Sequence, residues 1–257
     1  MKSVCLIVQN FYDFDARVRR KAEALVAAGY SVDVLALRLP EGKEFSVLNG
    51  VNVHTMALGK RRGSLSRYGF EYASFFVWTL VRLRSLMRHR RYAVIDVNTL
   101  PDFLIFAAAF ARRSGAKLIL DMHEITPEFY ISKYGVSEGS WIVRLMEFQE
   151  KISFDFSDHV LTIHEPAQQL LEGRGLPRSK STVIMSAADE RRFTERAGAM
   201  NDGPSPSGTF VMMYHGTLTK IYGLDLAIEA FALVHSRMPR AELWILGSGP
   251  EQSVLAD

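Results

Sequence analysis

Short runs of β-branched and aliphatic residues alternate along most of the chain with longer stretches whose apolar side chains recur every three or four positions. Val4-Cys5-Leu6-Ile7-Val8 is a continuous apolar run, the pattern of a strand buried on both faces of a parallel sheet. Val18, Ala22, Leu25 and Val26 then share one helical face, with Arg19, Arg20 and Lys21 off it, and Gly29 stops the helix. The same reading predicts strands at 32–37, 51–58, 93–97, 117–121, 160–163 and 182–185. It predicts helices over 68–90, 101–115 and 140–156, with Pro101 in a first turn. Strands separated by helices need crossover connections, so the pattern predicts a doubly wound α/β domain with a parallel sheet and helices on both faces. In such a sheet the ligand site lies beyond the carboxyl ends of the strands, where the strand order reverses.

From Ala197 to Gly208 the chain reads AGAMNDGPSPSG, a linker composition. The alternation then restarts with a strand at 209–214, a helix over 224–238 and a strand at 243–246. The expected organisation is therefore a domain at 1–196, a linker at 197–208 and a second α/β unit at 209–257. Two strands and little more than one helix leave a sheet edge and an apolar face uncovered. The expectation is that the chain is a fragment, or that a partner completes it.

Hydrophobic residues make up 48% and charged residues 23% of the 257 positions, an ordinary globular mixture, and the formal net charge is only +3. The single cysteine, Cys5, excludes an internal disulfide and a CxxC site. Seven histidines without HExxH spacing argue against a zinc hydrolase. The first apolar run is too short for a signal sequence, and no stretch of about 18 residues is free of charge. A cytoplasmic location is the expectation.

Several residues are candidates for chemistry. His123 and Glu124 follow the strand at 117–121 and so sit at its carboxyl edge; the alternative is a histidine that merely caps the strand. Asn98 ends another strand at that edge, to bond a sugar-type hydroxyl or to cap the next helix. Arg17, with Asp15 as helix cap, either binds an anionic acceptor or diphosphate, or is one of four basic residues on a solvated helix. Gly216, Lys220 and the helix that follows have the layout of a phosphate cradle, as do Gly247 and Gly249. The competing reading is a tight turn needing glycine for its backbone angles. A G-x-G without a third glycine is not a dinucleotide fingerprint.

Charge is concentrated between Lys60 and Arg91, where nine basic residues face one acid, Glu71. Phe76, Leu80, Leu83 and Met87 form one helical stripe there, Trp78 is nearby, and Arg84, Arg88 and Arg91 lie alongside. A basic amphipathic helix suits contact with an anionic membrane surface; the alternative is a core helix with a solvated basic flank. No recognition motif supports nucleic acid.

Four patterns in order resemble glycosyltransferase family 4. They are Asp15-Ala16-Arg17-Val18; Asn98-Thr99-Leu100-Pro101 with Asp121-Met122-His123-Glu124; Tyr214-His215-Gly216-Thr217-Leu218 with Tyr222-Gly223; and Leu246-Gly247-Ser248-Gly249-Pro250. The resemblance implies the two-domain GT-B architecture, with an acceptor domain followed by the start of a nucleotide-sugar donor domain. It implies a retaining transfer from a nucleotide sugar to a lipid-linked or polysaccharide acceptor, with no cofactor and no dedicated metal. His123 would face the donor sugar, Gly216, Thr217, Lys220, Gly223, Gly247 and Gly249 would hold the donor, and the 257 residues alone would be inactive. Many family members carry Arg after the glycine matching Gly216 and Lys before that matching Gly223; here Thr217 and Tyr222 stand there. Two other outcomes fit the same residues: a nucleotide-sugar epimerase of this architecture, or a non-catalytic membrane-surface protein that lost its donor site.

Overall fold

A computed structural model describes residues 2–59, 65–187 and 208–256. They form two units, Met1–Ser186 and Ala187–Asp257. Apart from Gly208, the expected linker at 197–208 lies outside the described residues, as do Lys60, Arg61 and Arg62.

The first unit holds strands β1 (Ser3–Phe11), β2 (Ser31–Leu37), β3 (Phe45–Leu48), β4 (Val51–Met56), β5 (Tyr92–Asn98), β6 (Lys117–Met122), β7 (His159–Thr162) and β8 (Ser181–Val183). They form one sheet in the order β3-β4-β2-β1-β5-β6-β7-β8. Every pairing is parallel except β3 with β4. The chain winds outward from β1 through β2 and β4, then returns to β5 and winds the other way. The order therefore reverses between β1 and β5, and their carboxyl ends flank the switch point.

The apolar run of β1 is continuous because alternate side chains enter different cores. Cys5 and Ile7 join one cluster with Leu35, Phe75, Leu104 and Phe154, whereas Val4, Leu6 and Val8 join another with Val18, Ala22 and Val34. The second cluster is covered by α1 (Ala16–Ala27), capped by Asp15, whose Oδ1 accepts from Val18 N at 3.1 Å. The first cluster is covered by α2 (Leu65–Leu86), a 3-10 helix at Asp102–Ser114, α4 (Trp141–Phe156) and α5 (Glu165–Gly173). A short helix, α3 (Thr126–Tyr134), precedes α4.

Two local features depart from the pattern-based expectation. The antiparallel β3–β4 hairpin turns through Asn49 and Gly50, both at positive φ (50° and 80°), the geometry of the mirror-image two-residue turn. A Cβ on Gly50 would lie 2.8 Å from Val26 Cγ1, so glycine is required there twice over. The segment after Pro101 winds with the tighter 3-10 repeat, and Pro101 caps it rather than starting its first turn.

The second unit contains β9 (Phe210–His215) and β10 (Ala241–Leu246) in parallel, α6 (Leu224–Arg237) between them, and α7 (Gln252–Ala256). Phe210, Met212, Met213, Trp244 and Leu246 on its two strands are exposed.

Candidate functional site

Two neighbouring strands of the first unit end in polar residues that an apolar core would reject. Asp96 and Asn98 alternate with Ile95 and Val97 on β5, so both leave the same face. Asp121 stands opposite Asn98 on β6. All three are buried, and α1 supplies their counter-charges one helical turn apart. Lys21 Nζ lies 2.7 Å from Asp96 Oδ2, 2.8 Å from Asn98 Oδ1 and 2.6 Å from Asp121 Oδ2. Arg17 donates from Nη2 to Asp121 Oδ1 at 2.8 Å and from Nη1 to the Ile184 carbonyl at 2.8 Å.

This arrangement sets the charge states. Burial pushes Asp121 up, but a hydrogen bond from His123, the charge of Lys21 and a hydrogen bond from Arg17 outweigh it and hold the carboxyl well below the usual range. Asp96 goes the other way: burial raises it, Lys21 opposes, and the Asp121 charge adds to the rise. Arg17 and Lys21 are thus both engaged with carboxylates. Sequence reasoning placed Lys21 on a solvated face; the i, i+4 pairing of Arg17 with Lys21, together with Asp96-x-Asn98 in an apolar strand, was the available signal for this cluster.

His123 stands just past β6. Its backbone N–H donates to Thr99 Oγ1 at 3.1 Å, and Nε2 lies 3.2 Å from Asn98 Oδ1 and 3.5 Å from Asp121 Oδ2. Both neighbours accept, so Nε2 carries the proton. Nδ1 makes no hydrogen bond among the described residues.

A cavity of about 480 Å³ opens at this edge. Gln9 and Asn10 from β1, Asp15 before α1, Thr99 and Leu100 after β5, His123 and Glu124 after β6, and Tyr68, Glu71 and Tyr72 of α2 line it. The structure thus brings His123 and Glu124 together at the switch point, with Asn98 and Arg17 in the polar cluster bonded to His123 and to Asp121. Gln9, Tyr68, Glu71 and Tyr72 were not singled out from the sequence. The lining is rich in oxygen acceptors, and the carboxamide oxygen of the buried Gln9 has no partner among the described residues.

Behind the cavity, the loops that carry Thr99 and His123 are joined by Thr126, which donates to Asp102 Oδ2 at 3.2 Å. Burial pushes Asp102 up to about 6, against hydrogen bonds from Thr126 and Gln149. Glu150 is buried nearby on α4. Desolvation pushes it up to about 8, Arg174 opposes the rise, and the Asp102 charge adds to it.

In the second unit, Gly216 and Gly247 follow adjacent strands. Gly216 N–H donates to the Leu246 carbonyl at 3.0 Å, and Leu218 N–H to the Ser248 carbonyl at 3.1 Å. A Cβ on Gly247 would lie 1.8 Å from Gly216 O, and one on Gly249 would lie 2.1 Å from Leu218 O. Neither of these two glycines sits at positive φ; the close approach of the two loops, not a special backbone angle, requires them. Thr217 and Lys220 are exposed on the same loop, and Gly223, at φ 62°, is the N-cap of α6.

On α2, Phe76 and Trp78 pack against the main core, with Phe76 on Phe103 and Trp78 on Phe75. The Arg84 guanidinium lies 5.3 Å from the centre of the Phe110 ring, and Arg88 and Arg91 are exposed. Among the described residues no cluster of His, Cys, Asp and Glu is arranged to hold a metal ion, and no helix is long and apolar enough to cross a membrane.

Residues 15–186 match the family described as glycosyl transferase 4-like domain, and the chain belongs to that family. No curated protein matches the sequence. Among solved structures, sucrose-phosphate synthase from Thermosynechococcus elongatus is similar over 98% of this chain and 64% of its own, with a TM-score of 0.67 and 16% identity. HepE of Anabaena in complex with UDP and glucose is similar over 100% of this chain and 64% of its own, with a TM-score of 0.62 and 14% identity. UGT2 of Phytolacca americana complexed with UDP-2fluoro-glucose and pterostilbene is similar over 84% and 60%, with a TM-score of 0.52 and 10% identity. The expected GT-B type α/β fold is thereby established. The chain spans less than two thirds of the length of these structures.

Proposed function

We propose that the protein containing this chain is a retaining glycosyltransferase. It moves a sugar from a nucleoside-diphosphate donor to a hydroxyl of a lipid-linked or polysaccharide acceptor. The observation that carries the reading is the cavity at the switch point of a glycosyl transferase 4-like domain, bordered by His123 and Glu124. Its volume is that of a small-ligand site. Its acceptor-rich lining suits a ligand that donates many hydrogen bonds, as a sugar does, and Tyr68 and Tyr72 add aromatic surface to its wall. His123, with Nε2 committed to Asn98 and Asp121, presents its other edge to a bound hydroxyl. The similarity to structures bound to UDP and to UDP-2fluoro-glucose supports a nucleotide sugar as donor.

The test is transfer by the full-length protein from a panel of radiolabelled nucleotide sugars, with product anomers assigned by NMR and turnover repeated in a chelator. Retained configuration and chelator-insensitive transfer are expected. Absence of transfer from every donor, or an inverted product, overturns the reading.

A further inference from the structure

The helical layer over the main core has an outer surface that a soluble domain does not ordinarily expose. On α2, Phe70, Val77 and Val81 are 62%, 57% and 62% exposed, and with Ala73 they form one stripe at spacings of three and four. On α4, Trp141, Leu145, Phe148 and Ile152 are 76%, 55%, 61% and 37% exposed, again at spacings of three and four. The opposite faces of both helices, Phe75 and Leu83 on α2 and Phe154 on α4, enter the same core. Both helices pack against the 3-10 helix at Asp102–Ser114, whose half-buried Phe103, Phe106 and Phe110 lie between them. The two stripes therefore belong to one side of one layer. Two such stripes on one side of one layer expose more large apolar side chains than the scattered single ones of an ordinary surface, which marks an interaction site.

The charges around it are predominantly basic on α2. Arg84 and Arg88 continue the α2 stripe beyond Val81, and Arg91 follows. Arg144 flanks the α4 stripe. The only acid of α2 is Glu71, which is buried. Of the α4 acids, Glu147 is bound by Arg174 and Asp155 by Lys151. Two copies of this face meeting about a twofold axis would bring arginine stripes together with few acids to offset them. An anionic bilayer supplies both an apolar interior and negative headgroups.

We infer that the α2–α4 face docks on an anionic membrane surface, burying Phe70, Val77, Val81, Trp141, Leu145 and Phe148 at the headgroup boundary while the arginines meet lipid phosphates. This face differs from the stripe through Phe76, Leu83 and Met87 read from periodicity, which is the stripe that packs on the core. It stands independently of the transfer reading.

The experiment is co-sedimentation of full-length protein with phosphatidylcholine vesicles, with and without phosphatidylglycerol, together with sedimentation velocity in the absence of lipid. Wild type is expected to bind only the anionic vesicles, more weakly as salt rises. Each headgroup-proximal cation contributes about fivefold in partition, so Arg84→Glu with Arg88→Glu lowers binding by about 25-fold or more. Val77→Glu with Phe148→Glu, at exposed positions that leave the melting temperature unchanged, abolishes it. Binding of neither vesicle by wild type, or equal binding by the variants, overturns the inference. So does a wild-type dimer that Val77→Glu with Phe148→Glu converts to monomer, because the face then belongs to a second copy.

Discussion

Lys21 Nζ lies 2.6 Å from Asp121 Oδ2, joining the middle of α1 to the end of β6 across a separation of 100 residues. The same ammonium also neutralises Asp96, so one cation serves two buried carboxylates. Removing one member of a buried ion set leaves uncompensated charge, at a cost of about 3–5 kcal/mol. Lys21→Met is expected to lose stability on that scale in urea unfolding. A loss below about 1 kcal/mol would be that of an exposed pair and would contradict the cluster.

If the proposed transfer is right, His123→Ala is expected to reduce kcat of the full-length protein by about 10²–10³, the scale on which loss of one preorganised hydrogen-bonding group at a reacting centre is felt. His159→Ala is the control: His159 opens β7, at the opposite edge of the sheet, and its Nε2 lies 2.8 Å from Thr182 Oγ1. Equal kcat for the two variants would remove His123 from the chemistry.

The Asp102–Glu150 pair gives the first unit a dependence on pH. Both carboxyls are raised in the folded state, to about 6 and about 8, so the folded chain holds more protons than the unfolded one over that span. Stability contributed by these groups is complete below their unfolded values near 4 and declines as pH rises, through 6 for Asp102 and through 8 for Glu150. Glu150→Gln removes the second decline. Melting temperatures measured from pH 5 to about 9 are expected to flatten in the variant; an unchanged slope would refute the assignment.

Gly249→Ala places a methyl 2.1 Å from Leu218 O and must push the two loops of the second unit apart. The expected cost is about 1–3 kcal/mol, read by thermal unfolding. Gly69→Ala is the contrast: it lies within α2 with nothing inside 4 Å of the added methyl, and gains about 0.5–1 kcal/mol from helix propensity. If both substitutions behave alike, the close approach at Gly249 is not what requires the glycine.

Strands β1, β2, β5 and β7 of the main sheet were legible because they are buried on two faces, so burial writes an unbroken apolar run. The hairpin strand β3 was not, since Phe45, Val47 and Leu48 are exposed and no face imposes alternation. Its turn, Asn49-Gly50, carried the usable signal. His123, Glu124 and Asn98 were legible as strand-end polar residues. Lys21 was not, because a helical wheel ranks lysine as solvent-facing and its partners lie 75 to 100 positions away. Tyr68 and Tyr72 reach the cavity only because the crossover from β4 to β5 starts α2 at the switch-point edge, a fact of topology rather than composition. At Gly247 and Gly249 the alternatives weighed were phosphate approach and backbone angle; contact between two loops is a tertiary cause that neither residue announces.

Arg17 spans two kinds of partner. One edge of its guanidinium is fixed on Asp121, and the other donates to the Ile184 carbonyl and lies 3.4 Å from Ser186 Oγ. The stretch that leaves β8 is therefore moored to the sheet by a charged clasp rather than by apolar packing, as the exposed Ile184 and Met185 attest. Arg17 accordingly sets the slack of the chain where β8 ends: substituting Asp121 loosens a segment more than sixty residues further along the sequence, and amide exchange there reports on the centre of the sheet.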